Sequence, residues 1–160
     1  MFCRNAEDWV FTLSEDHSWA SGLAIPFDAD FYDKDNVKRL EIRRDGTITV
    51  LAKYSWDGCT PKFCFFDLVL GIPDGVVDST TKHPRTYFAS LIHDALYQFR
   101  QAGLPLSRWQ TDVIFLHRMN ETRFYWRYLY FAAVAVFGGA FGLLGRLLRR
   151  NRGRMVVVNQ

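Results

Sequence analysis

The clearest alternation of apolar and polar residues lies between residues 39 and 54. Two runs of period-two alternation flank Asp45-Gly46, a dipeptide that is typical of tight turns. The apolar positions of these runs are Leu40, Ile42, Ile48, Val50, Ala52 and Tyr54. Because successive side chains of a strand point to opposite faces, the pattern predicts a β-hairpin over about 39–54 with one buried face.

Helical spacing replaces this alternation from Pro84 onward. Proline suits the first turn of a helix, and Gly103 suits the position just after one, so we predict a helix from Pro84 to Ala102. Apolar residues recur along it at positions that share one face. The predicted buried face consists of Phe88, Leu91, Ala95 and Phe99.

Two further helices are predicted after Gly103. Ser107 and Gln110 have the spacing of a capping box, in which each side chain satisfies a free backbone N–H of the first turn. The second helix is therefore predicted to begin at Ser107 and to reach about Asn120. A third helix is predicted from Glu121 or Thr122 to about residue 148.

The remaining segments carry weaker patterns. Residues 9–13 are apolar enough for a short first strand, whereas residues 14–36 are rich in Asp, Ser and Gly and are predicted as loops. Residues 55–82 are also loop-like, although 63–70 is apolar enough to pack against the body. The last ten residues, 151–160, are predicted to be a frayed basic tail.

These elements together predict an α+β fold, in which a small antiparallel sheet packs against two or three C-terminal helices. We divide the chain into three parts. Residues 1–121 form the α+β domain. Residues 122–148 form an aromatic and glycine-rich helix that is either part of the core or associated with a membrane. Residues 149–160 form a basic tail.

Charge is distributed unevenly along the 160 residues. All 17 acidic residues lie in 1–121 with 13 of the 20 basic ones, a net charge of −4, whereas 122–160 contain seven arginines and no acid. The acidic body lacks the charge of a nucleic-acid-binding domain, so no specific nucleic acid is expected as a partner. The basic segment 122–154 instead favours contact with an anionic membrane surface.

Carboxylates and a histidine within apolar segments are the candidates for chemistry. Asp57 follows the predicted hairpin, His93-Asp94 lies in the middle of the first predicted helix, and Asp112 lies in the first turns of the second. Burying a bare carboxylate costs several kcal/mol, so each of these groups must be paired, ligated or solvated. The short loop between the two helices favours antiparallel neighbours, so we expect these side chains to converge.

One interpretation is a hydrolytic site whose catalytic residues are Asp57, His93, Asp94 and Asp112. His93, Asp94 and Asp112 would bind a divalent metal such as zinc or manganese, with Asp57 or His117 completing the coordination. The metal would acidify a bound water for hydrolysis.

The alternative interpretation is structural. Asp57 and Asp94 would then accept hydrogen bonds from backbone N–H groups or from Arg108, which would hold a loop to a helix. The residues leave open whether the protein is an enzyme.

Several sequence blocks occur in a recognisable order: residues 54–63 (YSWDGCTPKF), 71–75 (GIPDG), 89–97 (ASLIHDALY), 107–108 (SR), 111–115 (TDVIF) with Met119, and Tyr130 with 136–139 (VFGG). Together they resemble the phage and prophage family called domain of unknown function 1353. The resemblance covers about residues 40–140, and one departure from it is Thr111, where the family usually has alanine.

The resemblance implies a small α+β accessory protein of a tailed phage, with Asp57, His93, Asp94 and Asp112 at motif positions. It implies no activity. Two function classes stay open. The first is an accessory protein that binds a host or phage protein or acts at the host membrane, in lysis, exclusion or counter-defence. The second is a small metal-dependent hydrolase.

The first residues of the chain and its cysteine content predict where the protein is located in the cell. The first ten residues, MFCRNAEDWV, contain no apolar stretch of signal-peptide length, so we expect no secretory signal. The three cysteines, an odd number, fit reduced thiols in a cytosolic protein. The expected location is the host bacterial cytoplasm or the cytoplasmic face of its inner membrane.

An uncharged stretch, YLYFAAVAVFGGAFGLLG, occupies residues 128–145. As a helix it would extend about 27 Å, slightly less than the hydrocarbon core of a bilayer. Aromatic residues cluster before it and arginines follow it, as at membrane interfaces. The pattern predicts either insertion into or association with a membrane, or a buried helix of the soluble fold.

Overall fold

A computed structural model of the chain describes residues 11–56, 63–65, 68–70, 78–100, 102–136 and 154–157. The strands are β1 (Phe11–Thr12), β2 (His17–Ala20), β3 (Ala29–Tyr32), β4 (Lys38–Ile42), β5 (Thr47–Val50), β6 (Ser55–Trp56), β7 (Phe63–Phe65), β8 (Leu68–Leu70) and β9 (Arg154–Val157). The helices are α1 (Tyr87–Arg100), α2 (Arg108–Glu121) and α3, described over residues 127–136. The fold is α+β, as predicted.

The main sheet is antiparallel and has five strands in the order β2-β5-β4-β3-β9. Two smaller antiparallel pairs, β1 with β6 and β7 with β8, accompany it. Helix α1 packs on the main sheet, and the ring centroids of Phe31 on β3 and Phe99 on α1 lie 5.5 Å apart. This layer of sheet and helix contains the larger apolar core.

The predicted hairpin is confirmed as β4 and β5. Its four inward positions are fully buried: Leu40, Ile42, Ile48 and Val50. Gly46 in the turn has φ +85°, and a Cβ there would lie 2.4 Å from the Leu23 carbonyl oxygen. Only glycine avoids both the strained backbone and this collision. Ala52 departs from the predicted alternation because the chain has already left β5 and turns there.

Both helices predicted from capping and periodicity are present. Ser107 accepts a hydrogen bond from the Gln110 backbone N–H, and Gln110 accepts one from the Ser107 N–H, so the capping box is confirmed. Leu91, Ala95 and Phe99 are fully buried on α1, as predicted. Helix α1 begins at Tyr87, three residues later than predicted, because residues 84–86 form a turn before it.

The prediction for the third helix was wrong at its start. Arg123 has φ +50°, a left-handed conformation that ends α2, and the Phe124 N–H returns to the Met119 carbonyl. Helix α3 therefore begins at residue 127 rather than at Glu121 or Thr122.

Three further predictions require correction. Residues 14–36 contain β2 and β3 rather than loops alone, and residues 55–82 contain β6, β7 and β8. Residues 154–157 of the predicted frayed tail form β9, which pairs with β3 in the register Ala29↔Val157 to Tyr32↔Arg154. Strands of two to four residues give little periodic signal, and β2, β6 and β9 also pair with strands that are distant in sequence.

A second apolar cluster joins α3 to the two other helices. Its buried members are Ala89, Phe115, Met119, Phe124 and Val134. The inner side of α3 therefore belongs to the folded body. In the described part of the chain no helix is long and apolar enough to cross a membrane. Residues 137–145 of the predicted membrane stretch lie outside that part.

Candidate functional site

The antiparallel packing of α1 and α2 brings His93 and Asp112 together at their interface. His93 Nε2 lies 3.0 Å from Asp112 Oδ1, and both side chains are buried, with exposures of 11% and 2%. The His93 ring also packs against the Phe115 ring, with centroids 4.9 Å apart. The predicted convergence of His93 and Asp112 is thus confirmed.

Two residues one helical turn away complete this polar cluster. The Tyr97 hydroxyl, four residues after His93, donates to Asp112 Oδ1 at 3.1 Å. Arg108, four residues before Asp112, donates from Nε to the Tyr97 oxygen at 2.9 Å and lies 3.7 Å from Asp112 Oδ2. We call His93, Tyr97, Arg108 and Asp112 the buried polar cluster.

Arg108 also connects this cluster to α3. Its Nη2 donates to the Val134 carbonyl oxygen at 3.0 Å and contacts the Ala135 carbonyl oxygen. One guanidinium therefore joins the α1–α2 interface to the backbone of α3. Such charge-assisted hydrogen bonds are stronger than neutral ones, so they fix the position of α3 on the body.

The hydrogen bond to Asp112 determines what His93 Nε2 can do. Burial alone would lower the pKa of His93, but the hydrogen bond to Asp112 and the nearby Asp94 carboxylate outweigh burial and raise that pKa above its ordinary value. A carboxylate oxygen accepts, so in the 3.0 Å contact with Asp112 the His93 Nε2 donates, and a ring nitrogen that donates has no free lone pair for a metal. The arrangement thus favours an internally hydrogen-bonded cluster over a ready metal ligand.

The other predicted site residues do not join His93 and Asp112 in the buried polar cluster. Asp94 Oδ1 lies 3.6 Å from His93 Nδ1, and its side chain is 23% exposed. His117 is not part of the cluster, because its Nε2 lies 3.0 Å from the Ser21 carbonyl oxygen and 3.8 Å from Glu121 Oε1. Asp57 lies outside the described residues. Among the residues that the structure does describe, no group of three or more His, Cys, Asp or Glu is arranged to hold a metal.

Sequence reasoning named Arg108 as a partner but missed Tyr97. The spacing of the two pairs was the available signal, because residues four apart on a helix are neighbours on its surface. Both His93–Tyr97 and Arg108–Asp112 have this spacing.

A second feature of the helices is an exposed apolar surface on α3. Tyr128, Leu129 and Val136 are 61%, 57% and 69% exposed, and Ala132 between them is also exposed. Their spacing places them on the outer side of the helix, opposite buried Val134. A surface helix normally has polar residues on this side.

Aromatic residues extend this surface beyond the helix itself. Tyr125 and Trp126, just before α3, are 79% and 54% exposed. Trp109 of α2 is 61% exposed and packs edge-on against Phe131, with ring centroids 5.4 Å apart. We call the set Trp109, Tyr125, Trp126, Tyr128, Leu129, Ala132 and Val136 the apolar surface.

The environment of His17, away from the buried polar cluster, predicts how the stability of the protein depends on pH. His17 on β2 stacks on Phe88, with ring centroids 4.0 Å apart. Burial, and secondarily the nearby charge of Arg118, lower the pKa of His17 to about 4. The unfolded chain, with an ordinary histidine pKa of about 6.5, therefore binds this proton first as the pH falls.

The free energy of unfolding of the wild type is therefore expected to decrease as the pH falls from 6.5 to 4. His17→Phe removes the titrating group and should make this decrease smaller. Allowing for the part exposure of His17, we expect the variant to lose about 1–2 kcal/mol less than the wild type over this range. Urea unfolding of both proteins at pH 7 and pH 4.5 measures the difference. Equal losses in the two proteins would show that His17 is not the titrating group.

Comparison with known proteins gives no relative for this chain. No known family, no curated protein and no solved structure matches it. The resemblance to the phage family therefore stays a prediction that rests on the sequence blocks.

Proposed function

We propose that the protein is a bacteriophage accessory protein that acts by binding through its apolar surface, and not by hydrolysis at the buried polar cluster. The observation that carries this proposal is the composition of α3. This helix packs Val134 inward, yet Tyr128, Leu129 and Val136 on its outer side are all more than half exposed. Helices that are apolar on every side normally have a partner on each side.

The geometry of the buried polar cluster supports the same proposal. Asp112 accepts from Tyr97 and His93, and Arg108 covers its other oxygen, so the polar groups satisfy one another. With 2% exposure, the Asp112 carboxylate has little access to a substrate. The cluster acts as a structural link that positions α3 and its outer side.

The phage assignment has a separate basis. It rests on the blocks at residues 54–63, 71–75, 89–97, 107–108, 111–115 with 119, and 130 with 136–139, whose order resembles that of the phage family. The proposed location is the host cytoplasm or the cytoplasmic face of its inner membrane, and the proposed roles are lysis, exclusion or counter-defence.

Fractionation of host cells that express the protein tests whether the surface binds anything. We expect the wild type to be retained with membranes or in species much heavier than the 18.6 kDa chain. Leu129→Glu places a charge on the apolar surface and should release the protein as a free monomer. Val37→Glu, at a 44% exposed apolar side chain in the β3–β4 turn, is the matched control and should behave as the wild type.

If the wild type itself elutes as a free monomer from host extract, the surface binds nothing in the cell. The variants must keep the circular dichroism and melting temperature of the wild type, which the exposure of Leu129 and Val37 favours.

The metal-dependent hydrolase is the second candidate, and the 3.0 Å approach of His93 to Asp112 is the observation that favours it. Asp57 would have to join His93, Asp94 and Asp112 around zinc or manganese. Metal analysis of the purified protein separates the candidates. A stoichiometric metal that Asp112→Asn removes, without loss of the fold, would favour the hydrolase over the binding protein.

A further inference from the structure

We propose that the apolar surface binds an anionic membrane, with α3 lying in the plane of the lipid–water interface and not crossing the bilayer. This inference rests on the proposed function, because it names the partner of the same surface. Two observations favour an anionic membrane: the charge around the surface and its aromatic composition. A third, the pairing of β9 with β3, favours the in-plane arrangement.

The charge of the C-terminal segment favours anionic lipid. Residues 122–160 contain seven arginines and no acidic residue. Two of these arginines lie close to the apolar surface. Arg123 is exposed just before it, and Arg127 lies over the Tyr128 ring, 4.7 Å from the ring centroid. Basic residues beside an apolar helix side are attracted to anionic headgroups, by about 1 kcal/mol per residue.

The same charge opposes pairing with a second copy of this chain. A symmetric dimer through α3 would bring Arg123 and Arg127 of both copies to one interface. Residues 122–160 contain no Asp or Glu, so they offer no acidic side chain to pair with the arginines of the other copy. Like charges at an interface disfavour association.

The aromatic side chains match the chemistry of the lipid–water interface. Tyr125, Trp126, Tyr128 and Trp109 are each more than half exposed. Tyrosine and tryptophan combine an apolar ring with a polar atom, and they concentrate at the headgroup level of membranes.

The strand pairing of β9 excludes a single crossing. Residues 127–136 form α3, and residues 154–157, later in the chain, form β9, which pairs with β3. A helix that crossed the bilayer once between these points would leave residues 154–157 on the opposite side from β3. The main sheet as observed and a single-span anchor are therefore mutually exclusive, whereas an in-plane helix is compatible with the sheet.

Vesicle sedimentation of the purified full-length protein tests this inference. The probes are vesicles of phosphatidylglycerol mixed with phosphatidylcholine, and vesicles of phosphatidylcholine alone. We expect at least about tenfold stronger binding to the anionic vesicles, and a binding constant that falls as salt is added. Leu129→Glu and Trp126→Ser should each reduce binding at least about tenfold, and Val37→Glu should not reduce it.

Alkaline carbonate then distinguishes an in-plane helix from a span. We expect carbonate to release the bound protein, as it does for proteins held at the surface. Resistance to carbonate would overturn the in-plane arrangement. Equal binding to both kinds of vesicle would overturn the choice of anionic lipid, and dimers formed without lipid would show that a second copy covers the surface.

The vesicle and host-extract results together distinguish an error in the membrane proposal from an error in the proposed binding function. If the purified protein does not bind vesicles while host extract still retains it through Leu129, the surface has a macromolecular partner and the membrane proposal is wrong. If neither vesicles nor host extract retains the protein, the proposed function is wrong as well.

Discussion

A chain that ends at Glu121 is expected to lose its cooperative unfolding transition. Truncation there removes Phe124 and Val134 from the second apolar cluster and exposes Phe115 and Met119, which are almost completely buried in the full chain. Loss of one buried phenylalanine alone costs about 3–5 kcal/mol. The truncation also removes β9 from the edge of the main sheet.

The measurement is urea unfolding of the full-length and truncated chains, followed by far-ultraviolet circular dichroism. Phe124→Ala in the full-length chain is the graded comparison, and we expect it to lower the free energy of unfolding by about 3–5 kcal/mol while the transition stays cooperative. A truncated chain that unfolds cooperatively with wild-type stability would show that the segment after Glu121 is not part of the core.

The second large effect is expected at Asp112. Asp112→Ala leaves the buried His93 Nε2–H and the Tyr97 hydroxyl without their acceptor, and it removes the carboxylate beside the Arg108 guanidinium. A buried donor without an acceptor costs about 1–3 kcal/mol, so we expect the variant to lower the free energy of unfolding by about 3–5 kcal/mol. Urea unfolding at pH 7 measures this loss.

Asp94→Asn is the matched comparison for Asp112→Ala. Asp94 is also next to His93, but its Oδ1 lies 3.6 Å from His93 Nδ1, its side chain is 23% exposed, and asparagine keeps its shape, so the substitution removes less than Asp112→Ala does. We expect its loss of stability to be about 1 kcal/mol or less. If Asp112→Ala were as mild as Asp94→Asn, the buried polar cluster would not be a structural link.

Elements that are determined by residues close together in the chain could be predicted from the sequence. The β4–β5 hairpin was predictable because Asp45-Gly46 separates two runs with the same buried face. The start of α2 was predictable because Ser107 and Gln110 satisfy each other's backbone groups within one turn. The meeting of His93 and Asp112 followed from two helices joined by a short loop.

Features that depend on distant partners were not predictable from local patterns. Strand β9 has four residues in a basic segment, and its pairing with β3 is visible only in the folded chain. The start of α3 was missed because the left-handed backbone at Arg123, an ordinary helix-forming residue, leaves no signal in the sequence. The uncharged stretch at 128–145 did not decide between a core helix and a membrane-associated one. Both sides of α3 are apolar: Val134 is buried against the body, and Tyr128, Leu129 and Val136 are exposed.

Amide hydrogen exchange of the full-length protein, with and without phosphatidylglycerol vesicles, tests most directly whether α3 is the membrane-binding element. We expect vesicles to slow exchange in residues 125–136 and to leave β4 and β5, at residues 38–50, unchanged. Slowed exchange in β4 and β5 alone, or no change in residues 125–136 when the protein is bound to the vesicles, would contradict binding through the outer side of α3.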